Sequence, residues 1–531
     1  MKVKTLLRLL SGVVVLLVLA LAAADLSAAS TAPAKPLNVL FIAADDLRPA
    51  LGCYGATQVL SPNIDRLAAR GLVLNRAYCQ YSVCNPSRTS LMTGLRPDSN
   101  GVPGLAAHFR RQVPDIVTLP QQFKLHGYVT RAFGKIYHGA WDTAYVGRTH
   151  DDVPSWSEPN WFGSPQYYFS PEGMAAAKEV YEKGREWPIY GKADHPELAK
   201  RLKSRTALRV RSPAAAEDWK KSFVQALSTE APDVPDSVPY DGEMTGHAIE
   251  ALRAMKGRPF FLAVGYTKPH LPFVAPKKYW DLYDRAQLDL PNPATAPKDA
   301  PAVATPGWGE LRGQYTDIPK RGPLTEAQTR ELIHGYYACV SYVDAQVGRL
   351  LDELDRLGLR ENTIVVLWGD HGWHLGELNH WAKNVNFELA NRVPLIVNAP
   401  GRKVAGAKSD ALVELVDVFP TLCELAGLPL PAHLEGTSFA PLLDAPGQRW
   451  KTAAFSQVQF GTVEGRSMRT NRYRFTLWQE RKEKGRTVAV ELYDFRDDPV
   501  ERENIAGRTE HAALVKELTA KLEAGWRAAK F

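Results

Sequence analysis

The chain has 531 residues, of which 45% are hydrophobic, 10% aromatic and 23% charged. This composition is typical of a globular protein and excludes a disordered chain, a collagen-like chain and a protein with many membrane spans. The net charge of +7 is too small and too dispersed to indicate nucleic-acid binding, and it suits an anionic substrate equally well. Five cysteines in a chain of this length do not form a disulfide scaffold.

The N-terminus has the pattern of a secretory signal. Basic residues Lys2, Lys4 and Arg8 precede an apolar run over 9–24, and small residues continue to Ala29. The run is shorter than the roughly 20 residues that span a bilayer, so we favour a cleaved signal peptide over 1–29 above an uncleaved anchor. A linker over 30–36 follows. We therefore expect a secreted or periplasmic protein without stable membrane insertion after cleavage.

Four continuous apolar runs predict buried strands, at 38–44, 128–133, 259–264 and 363–368. Each run ends in polar residues, and helical patterns such as 62–70 and 331–357 lie between them. This alternation predicts an α/β domain over 37–443, with a mostly parallel sheet flanked by helices. Because ligands bind beyond the carboxyl ends of parallel strands, the functional site is expected at that edge.

Two regions depart from the pattern. The stretch 140–239 is irregular and rich in Trp, Tyr, Pro, Lys and Glu, so we interpret it as an insertion near the substrate mouth. After residue 443, short alternating patterns over 472–478 and 487–493 precede a helical pattern over about 510–530. They predict a smaller C-terminal subdomain over 444–531, made of an antiparallel sheet and a helix.

The most specific segment is 84–94, Cys-Asn-Pro-Ser-Arg-Thr-Ser-Leu-Met-Thr-Gly. We expect Pro86 to start a helix and Cys84 to lie just before it, where free backbone N–H groups and the helix dipole favour an anion. Arg88 adds a fork of donors one turn later. Cys-x-Pro alone is usually a buried cysteine before a helix, but that interpretation does not account for the whole segment.

Cys84-x-Pro-Ser-Arg88, followed by Leu91, Thr93 and Gly94, resembles the signature of type I sulfatases in the alkaline-phosphatase-like superfamily. The resemblance implies an alkaline-phosphatase-like fold and a maturation enzyme that oxidises Cys84 to formylglycine. The aldehyde hydrate is then the nucleophile. One of its hydroxyls takes the sulfuryl group, and deprotonation of the other expels sulfate. A serine would form a stable sulfate ester, because it has no second hydroxyl that could expel the sulfate.

Two pairs of ionisable residues follow predicted strands. Asp45 and Asp46 end the first run, and in isolation they could equally be a helix cap or a turn. Asp370 and His371 end the last run and resemble the second metal segment of the family. The resemblance implies one cation held by these four side chains and by the oxygen of modified Cys84. A site dominated by oxygen suits Ca²⁺, with Mg²⁺ second.

Four further polar residues match family segments. Lys135 and His138 lie three apart after the second run, a spacing that alone is usually a solvated pair. The resemblance implies that Lys135 holds the nucleophile and the sulfate, and that His138 is the base that releases the sulfate. It implies that His270 binds sulfate and protonates the leaving alcohol, and that Lys383 binds sulfate. Lys268, near His270, is expected to be structural or peripheral.

Histidine at 371, together with the segments 44–48, 370–373 and 381–383, resembles the iduronate-2-sulfatase branch. That branch implies a sulfate beside a uronic acid carboxylate, on a sulfated glycan or oligosaccharide. Trp373 and Trp381 are candidate sugar platforms, although core packing explains them equally well. His374 and His380 either reach the substrate or lie at the surface, and we favour the surface position.

The sequence thus predicts an exported sulfatase, with two alternatives. A phosphomonoester or phosphonate hydrolase of the same superfamily shares the metal carboxylates. A non-catalytic glycan-binding pseudo-sulfatase would be marked by loss of Cys84, Arg88, Lys135 or Asp370, and all four are present. The other cysteines carry no such role: Cys339 and Cys423 are expected to be buried thiols, and the sequence leaves open whether Cys53 pairs with Cys79.

Overall fold

The central sheet is built on the apolar runs that the sequence identifies. The computed structural model describes residues 36–105, 107–138, 151–163, 166–182, 225–403, 405–482 and 485–530. The strands in these ranges are β1 (Asn38–Ala44), β2 (Leu72–Tyr78), β3 (Val129–Gly134), β4 (Thr229–Glu230), β5 (Phe260–Tyr266), β6 (Phe273–Val274), β7 (Thr363–Gly369), β8 (His374–Leu375), β9 (Trp381–Ala382), β10 (Arg392–Val393), β11 (Leu395–Asn398), β12 (Ala407–Glu414), β13 (Ala453–Phe460), β14 (Val463–Thr470), β15 (Tyr473–Glu480) and β16 (Thr487–Asp494).

The helices of the described ranges cover both faces of this sheet and the C-terminal part. They are α1 (Pro62–Ala68), α2 (Cys84–Thr93), α3 (Pro97–Asn100), α4 (Leu119–Leu125), α5 (Pro171–Glu182), α6 (Tyr240–Ala254), α7 (Lys277–Trp280), α8 (Gly309–Gln314), α9 (Glu326–Arg356), α10 (Glu388–Asn391), α11 (Val418–Leu425) and α12 (Ala512–Ala528). None of the helices in these ranges is long and apolar enough to cross a bilayer.

The strand order of the large sheet is β10-β2-β11-β7-β1-β5-β3, with β12 paired to β2. The central strand β1 runs parallel to both β5 and β7, and its last residue, Ala44, lies opposite Tyr266 on one side and Gly369 on the other. The carboxyl ends of three strands therefore meet at one edge. This edge is where the sequence places Asp45 and Asp370.

The fold class is confirmed, and the four predicted strands lie within two residues of β1, β3, β5 and β7. The sheet is less uniform than expected, because β10 and β11 pair antiparallel with β2, and β11 pairs antiparallel with β7. Strand β2 was not predicted. Strands β2, β10 and β11 form because they pair with parts of the chain that are distant in sequence.

Both faces of β1 are buried, because its seven residues alternate between two cores. Leu40 and Ile42 pack with helices α6 and α9 on one face, whereas Phe41 and Ala43 pack with α2, α4 and α11 on the other. Helix α9 begins with a capping box in which Thr325 and Gln328 exchange hydrogen bonds. It starts five residues before the predicted helical pattern.

The antiparallel C-terminal sheet has the order β13-β14-β15-β16, and α12 buries Leu518 and Leu522 against it. A buried ion-pair cluster joins this sheet to the segment that follows the site. Glu388 of α10 contacts Arg469 and Arg474, and Arg474 Nε lies 2.8 Å from Glu501 Oε1. An antiparallel C-terminal sheet with a helix is therefore confirmed, although β13 and β14 were not predicted.

Parts of the sequence expectations concern residues outside the described ranges. These are the signal peptide over 1–29, the linker as far as residue 35, and 140–150, 164–165 and 183–224 of the expected insertion. The described parts of the insertion include α5 and β4. The domain boundaries remain predictions.

Candidate active site

The strand ends bring three aspartates together. Asp46 adopts a positive φ of 60°, which is uncommon for a residue with a side chain. Two hydrogen bonds hold this turn: the Asp46 backbone N–H donates to Asp370 Oδ1 over 3.0 Å, and the Tyr336 hydroxyl donates to the Asp46 carbonyl over 2.8 Å. The left-handed turn after β1 is therefore tied directly to the end of β7.

Helix α2 begins at Cys84 itself, two residues earlier than expected from Pro86. The Cys84 side chain is buried, with Sγ 3.2 Å from His371 Nε2, 3.5 Å from Lys383 Nζ and 4.0 Å from Asp46 Oδ1. Burial and, after it, the nearby Asp45 carboxylate raise the pKa of the Cys84 thiol well above its usual value. The thiol is therefore protonated at neutral pH and is a poor nucleophile in its unmodified form.

Arg88 positions the carboxylates of Asp45 and Asp370. Its side chain is fully buried, Nε donates to Asp370 Oδ2 over 2.8 Å, and Nη2 donates to Asp45 Oδ1 over 3.1 Å. Nη1 donates to the backbone carbonyls of Lys135 and Ile136. All three guanidinium nitrogens are thus engaged by the protein, as expected for a group that positions Asp45 and Asp370.

Two lysines place positive charge beside Cys84. Lys135 forms an ion pair with Asp45, and Lys383 Nζ lies 2.7 Å from Asp46 Oδ1. Burial alone would lower the pKa of Lys383, but Asp46 and the other acidic groups outweigh it and raise that pKa well above the usual value. Lys383 is therefore a fixed cation at this edge of the sheet.

The two predicted catalytic histidines differ in environment. His138 Nδ1 is buried without a hydrogen-bond partner within the described residues, and burial together with Lys135 lowers the pKa of His138 well below its usual value. His270 Nδ1 lies 2.6 Å from the Leu271 carbonyl. Burial would lower the pKa of His270, but Asp46 and Glu310 outweigh it and raise that pKa. The two pKa shifts thus favour a neutral imidazole at His138 and a protonated one at His270.

Glu310 is a residue that sequence reasoning missed. Its Oε1 lies 3.2 Å from His270 Nε2 and 3.5 Å from Lys383 Nζ. Glu310 belongs to the short helix α8, whose sequence carries no motif that could have identified it. Lys268, in contrast, is structural as expected, because its Nζ donates to the carbonyls of His270 and Pro272.

The donor set fits a divalent cation. One atom from each of Asp45, Asp46, Cys84 and His371 lies within 4.8 Å of the others. Asp46 Oδ2 is buried without a hydrogen-bond partner in the described part of the chain, as expected for an oxygen that binds a metal. His371 Nδ1 lies 2.9 Å from the Gly372 carbonyl, which leaves Nε2 for the cation. Asp370 adjoins the group, with Oδ2 3.7 Å from His371 Nε2.

Comparison with known proteins identifies this arrangement. A family model described as sulfatase matches residues 37–428. The chain belongs to the sulfatase family. A second model, described as the C-terminal part of N-sulphoglucosamine sulphohydrolase, matches residues 376–527. The protein is therefore a sulfuric ester hydrolase, as the sequence predicts.

Two curated relatives of this sulfatase are similar over most of their length. Iduronate 2-sulfatase of Mus musculus is 33% identical, with 91% of this chain and 93% of that protein covered. Iduronate 2-sulfatase of Homo sapiens is 36% identical, with 76% and 71% covered. Among solved structures, phosphonate monoester hydrolase of Agrobacterium radiobacter has a TM-score of 0.68 at 23% identity, with 92% of this chain and 95% of that chain covered. That likeness supports the fold alone.

The aromatic and histidine neighbours of the sulfatase site are all buried. Trp373 is 1% exposed and Trp381 is 4% exposed, and both belong to the hydrophobic core. Their burial favours core packing, and their role as sugar platforms stays a prediction. The surface position expected for His374 and His380 was wrong, since both are buried and their rings lie 5.1 Å apart.

The sulfatase has no disulfide among its five cysteines, all of which lie in described parts of the chain. Cys53 is partly buried and Cys79 is buried, and both are free thiols. Cys339 and Cys423 are buried, as expected. Of the five, only Cys84 lies in the acidic and basic cluster described above.

Proposed function

We propose that this sulfatase is exported and removes the sulfate next to a uronic acid carboxylate in a sulfated glycan, with formylglycine at position 84 and Ca²⁺ as cofactor. The observation that carries the proposal is the position of Cys84 Sγ, within 4.0 Å of Asp46, His371 and Lys383. The substrate class rests on the mouse and human relatives, which are named iduronate 2-sulfatase. Export rests on the N-terminal sequence pattern.

The state of the thiol supports its conversion. A protonated cysteine between two cations and two carboxylates is suited to be a precursor rather than a nucleophile. Conversion requires a formylglycine-generating maturation enzyme as partner. The hydrated aldehyde would supply a nucleophilic hydroxyl and a second hydroxyl for release of sulfate.

The proposed cation is held by Asp45, Asp46, Asp370 and His371, together with the oxygen of the modified residue 84. Oxygen donors outnumber the single imidazole, which favours Ca²⁺, with Mg²⁺ second. When bound, the metal would polarise a sulfate oxygen and lower the pKa of the nucleophilic hydroxyl. Arg88 keeps Asp45 and Asp370 in place for this role.

The remaining residues would offset negative charge and transfer protons during the reaction. Lys135 and Lys383 stay protonated and offset negative charge on the sulfate and on the leaving oxygen. Nδ1 of His270 is engaged by the Leu271 carbonyl, whereas Nε2 faces the carboxylates of Glu310 and Asp46. His270 would therefore donate the proton at Nε2 to the leaving alcohol. His138 would accept a proton when sulfate is released, at Nδ1, which has no hydrogen-bond partner among the described residues.

Sulfate release from defined disaccharides tests the proposal. The panel contains 2-sulfated uronate and 6-sulfated hexosamine, and each assay uses the matured enzyme and a Cys84→Ala control. Mass spectrometry of the peptide that contains residue 84 establishes conversion. Release confined to 2-sulfated uronate and absent from Cys84→Ala is expected.

Other outcomes separate the alternatives. Release from the hexosamine sulfate alone would retain the sulfatase and overturn the uronate assignment. Faster turnover of a phosphate monoester than of a sulfate ester would favour the phosphohydrolase alternative. If a preparation with confirmed formylglycine released no sulfate from any of the disaccharides, the proposed substrate class would be overturned.

A further inference from the structure

Glu310 adds a fixed negative charge to the sulfate pocket. Its side chain is only 12% exposed, and its carboxylate contacts His270 and Lys383, the two cations that are expected to bind the sulfate. Burial alone would raise the pKa of Glu310, but Lys383 and His270 outweigh it and lower that pKa to about 2. The carboxylate is therefore charged at neutral pH.

The segment that carries Glu310 is anchored on both sides. Leu311 and Tyr315 are buried in the main core next to α9. Trp308 Nε1 donates to the Asn379 carbonyl over 2.6 Å, and its ring lies 6.4 Å from that of Trp381. The anchors place Glu310 on a packed element rather than on an open loop, so a ligand meets its charge at a defined position.

The esters that could enter this pocket differ in charge more than in shape. A sulfate monoester carries one negative charge, whereas a phosphate monoester carries nearly two at pH 7. A phosphonate monoester is tetrahedral like both, but it carries one charge. A carboxylate beside the pocket repels the second charge of the phosphate monoester, and this repulsion is strong where water is excluded.

We propose that Glu310 is a specificity-determining residue that favours monoanionic esters over dianionic ones. The proposal rests on the proposed function, because it requires His270 and Lys383 to face the oxyanion of the substrate. Selection of this kind places a repulsive element against the wrong ligand instead of an extra contact to the right one. The same repulsion would act on the product, since inorganic sulfate carries one more charge than the ester.

The test compares wild type with Glu310→Gln, which keeps the shape of the side chain and removes its charge. Values of kcat/KM are measured for the 4-nitrophenyl esters of sulfate, phosphate and a methylphosphonate, which share one leaving group. We expect the phosphate-to-sulfate ratio to rise by at least about tenfold in Glu310→Gln. The phosphonate-to-sulfate ratio is expected to change by less than about threefold, because those two esters carry equal charge.

Two control variants accompany the measurement. Glu517→Gln removes an equal charge from an exposed ion pair with Lys521 on the C-terminal helix α12, and should leave both ratios unchanged. Glu310→Asp keeps the charge and should retain the wild-type preference. If Glu310→Gln does not fold, the ratios of Glu310→Ala serve in its place.

Binding of inorganic sulfate gives a readout that does not depend on turnover. Calorimetric titration of Cys84→Ala, with and without Glu310→Gln, should show at least about tenfold tighter sulfate binding when the carboxylate is absent. A constant phosphate-to-sulfate ratio, or equal gains for phosphate and phosphonate, would overturn the proposal. Failure of the proposed function is distinguishable, because it would show in the disaccharide panel or in the conversion of residue 84, whereas these ratios compare wild type with variants on one set of 4-nitrophenyl esters.

Discussion

The buried guanidinium of Arg88 permits a quantitative prediction. Arg88 is fully buried, and its partners Asp45 and Asp370 are at most 1% exposed. Arg88→Gln would remove the buried cation from Asp370 and leave Asp45 with Lys135 alone. Breaking a buried ion pair in this way costs about 3–5 kcal/mol. We therefore expect a loss of that size in the free energy of unfolding of the metal-free protein.

The corresponding shift in melting temperature is small because the protein is large. Leu37–Phe531 forms one compact unit. Unfolding entropies of about 2 cal/mol/K per residue give roughly 1 kcal/mol/K for a unit of this size. The loss therefore corresponds to a decrease of roughly 3–5 °C in Tm.

Urea unfolding of the chelator-treated protein, supported by calorimetry, measures the effect. Arg66→Gln is the matched control, because Arg66 pairs with Asp352 over 2.8 Å at the surface and such pairs contribute at most about 1 kcal/mol. Added Ca²⁺ should reduce the deficit of Arg88→Gln, since a cation neutralises the same carboxylates. A deficit no larger than that of the control would refute the reasoning.

Three further predictions concern the nucleophile, the metal and the C-terminal sheet. Cys84→Ser should complete at most one turnover and retain bound sulfate, because a seryl sulfate is a stable ester; sustained turnover in a stopped-flow assay would contradict this. Asp370→Ala should lower the bound Ca²⁺ measured by atomic emission, and normal stoichiometry would exclude Asp370 as a ligand. Burial raises the pKa of Glu491 to about 7, so this carboxyl holds a proton when folded and loses it when unfolded. Wild type should lose up to about 3 kcal/mol of stability between pH 4.5 and 7 from this group, whereas Glu491→Gln should not, as urea unfolding at several pH values will test.

The sequence predicts the strands at the centre of the sheet better than those towards one side of it. Strand β1 is a continuous apolar run, and such runs remain recognisable without knowledge of their partners. Strand β2 contains Asn75 and Arg76, and β10 and β11 are short and separated by Pro394. These strands exist because of pairing across more than 300 positions, which a local pattern does not reveal.

The same distinction applies to the site. Cys84, Arg88 and the residue pairs 45–46 and 370–371 lie in short motifs whose spacing is visible in the chain, and the structure brings them together. Glu310 lies in no such motif, and only the packing of α8 brings it to His270. The burial of His374 and His380 was missed because a polar, glycine-containing segment resembles a surface loop, although it is enclosed by neighbours such as Phe387.

The enclosure of Cys84 also has a consequence for timing. Its thiol is 1% exposed in the folded chain, and the contact with His371 spans 287 positions of sequence. At a synthesis rate of about 5–20 residues per second, His371 emerges roughly 15–60 s after Cys84. Strand β7 must then pair with β1 before the pocket closes. An agent that modifies the thiol can therefore reach it during this interval. Access ends when the chain folds and buries Cys84.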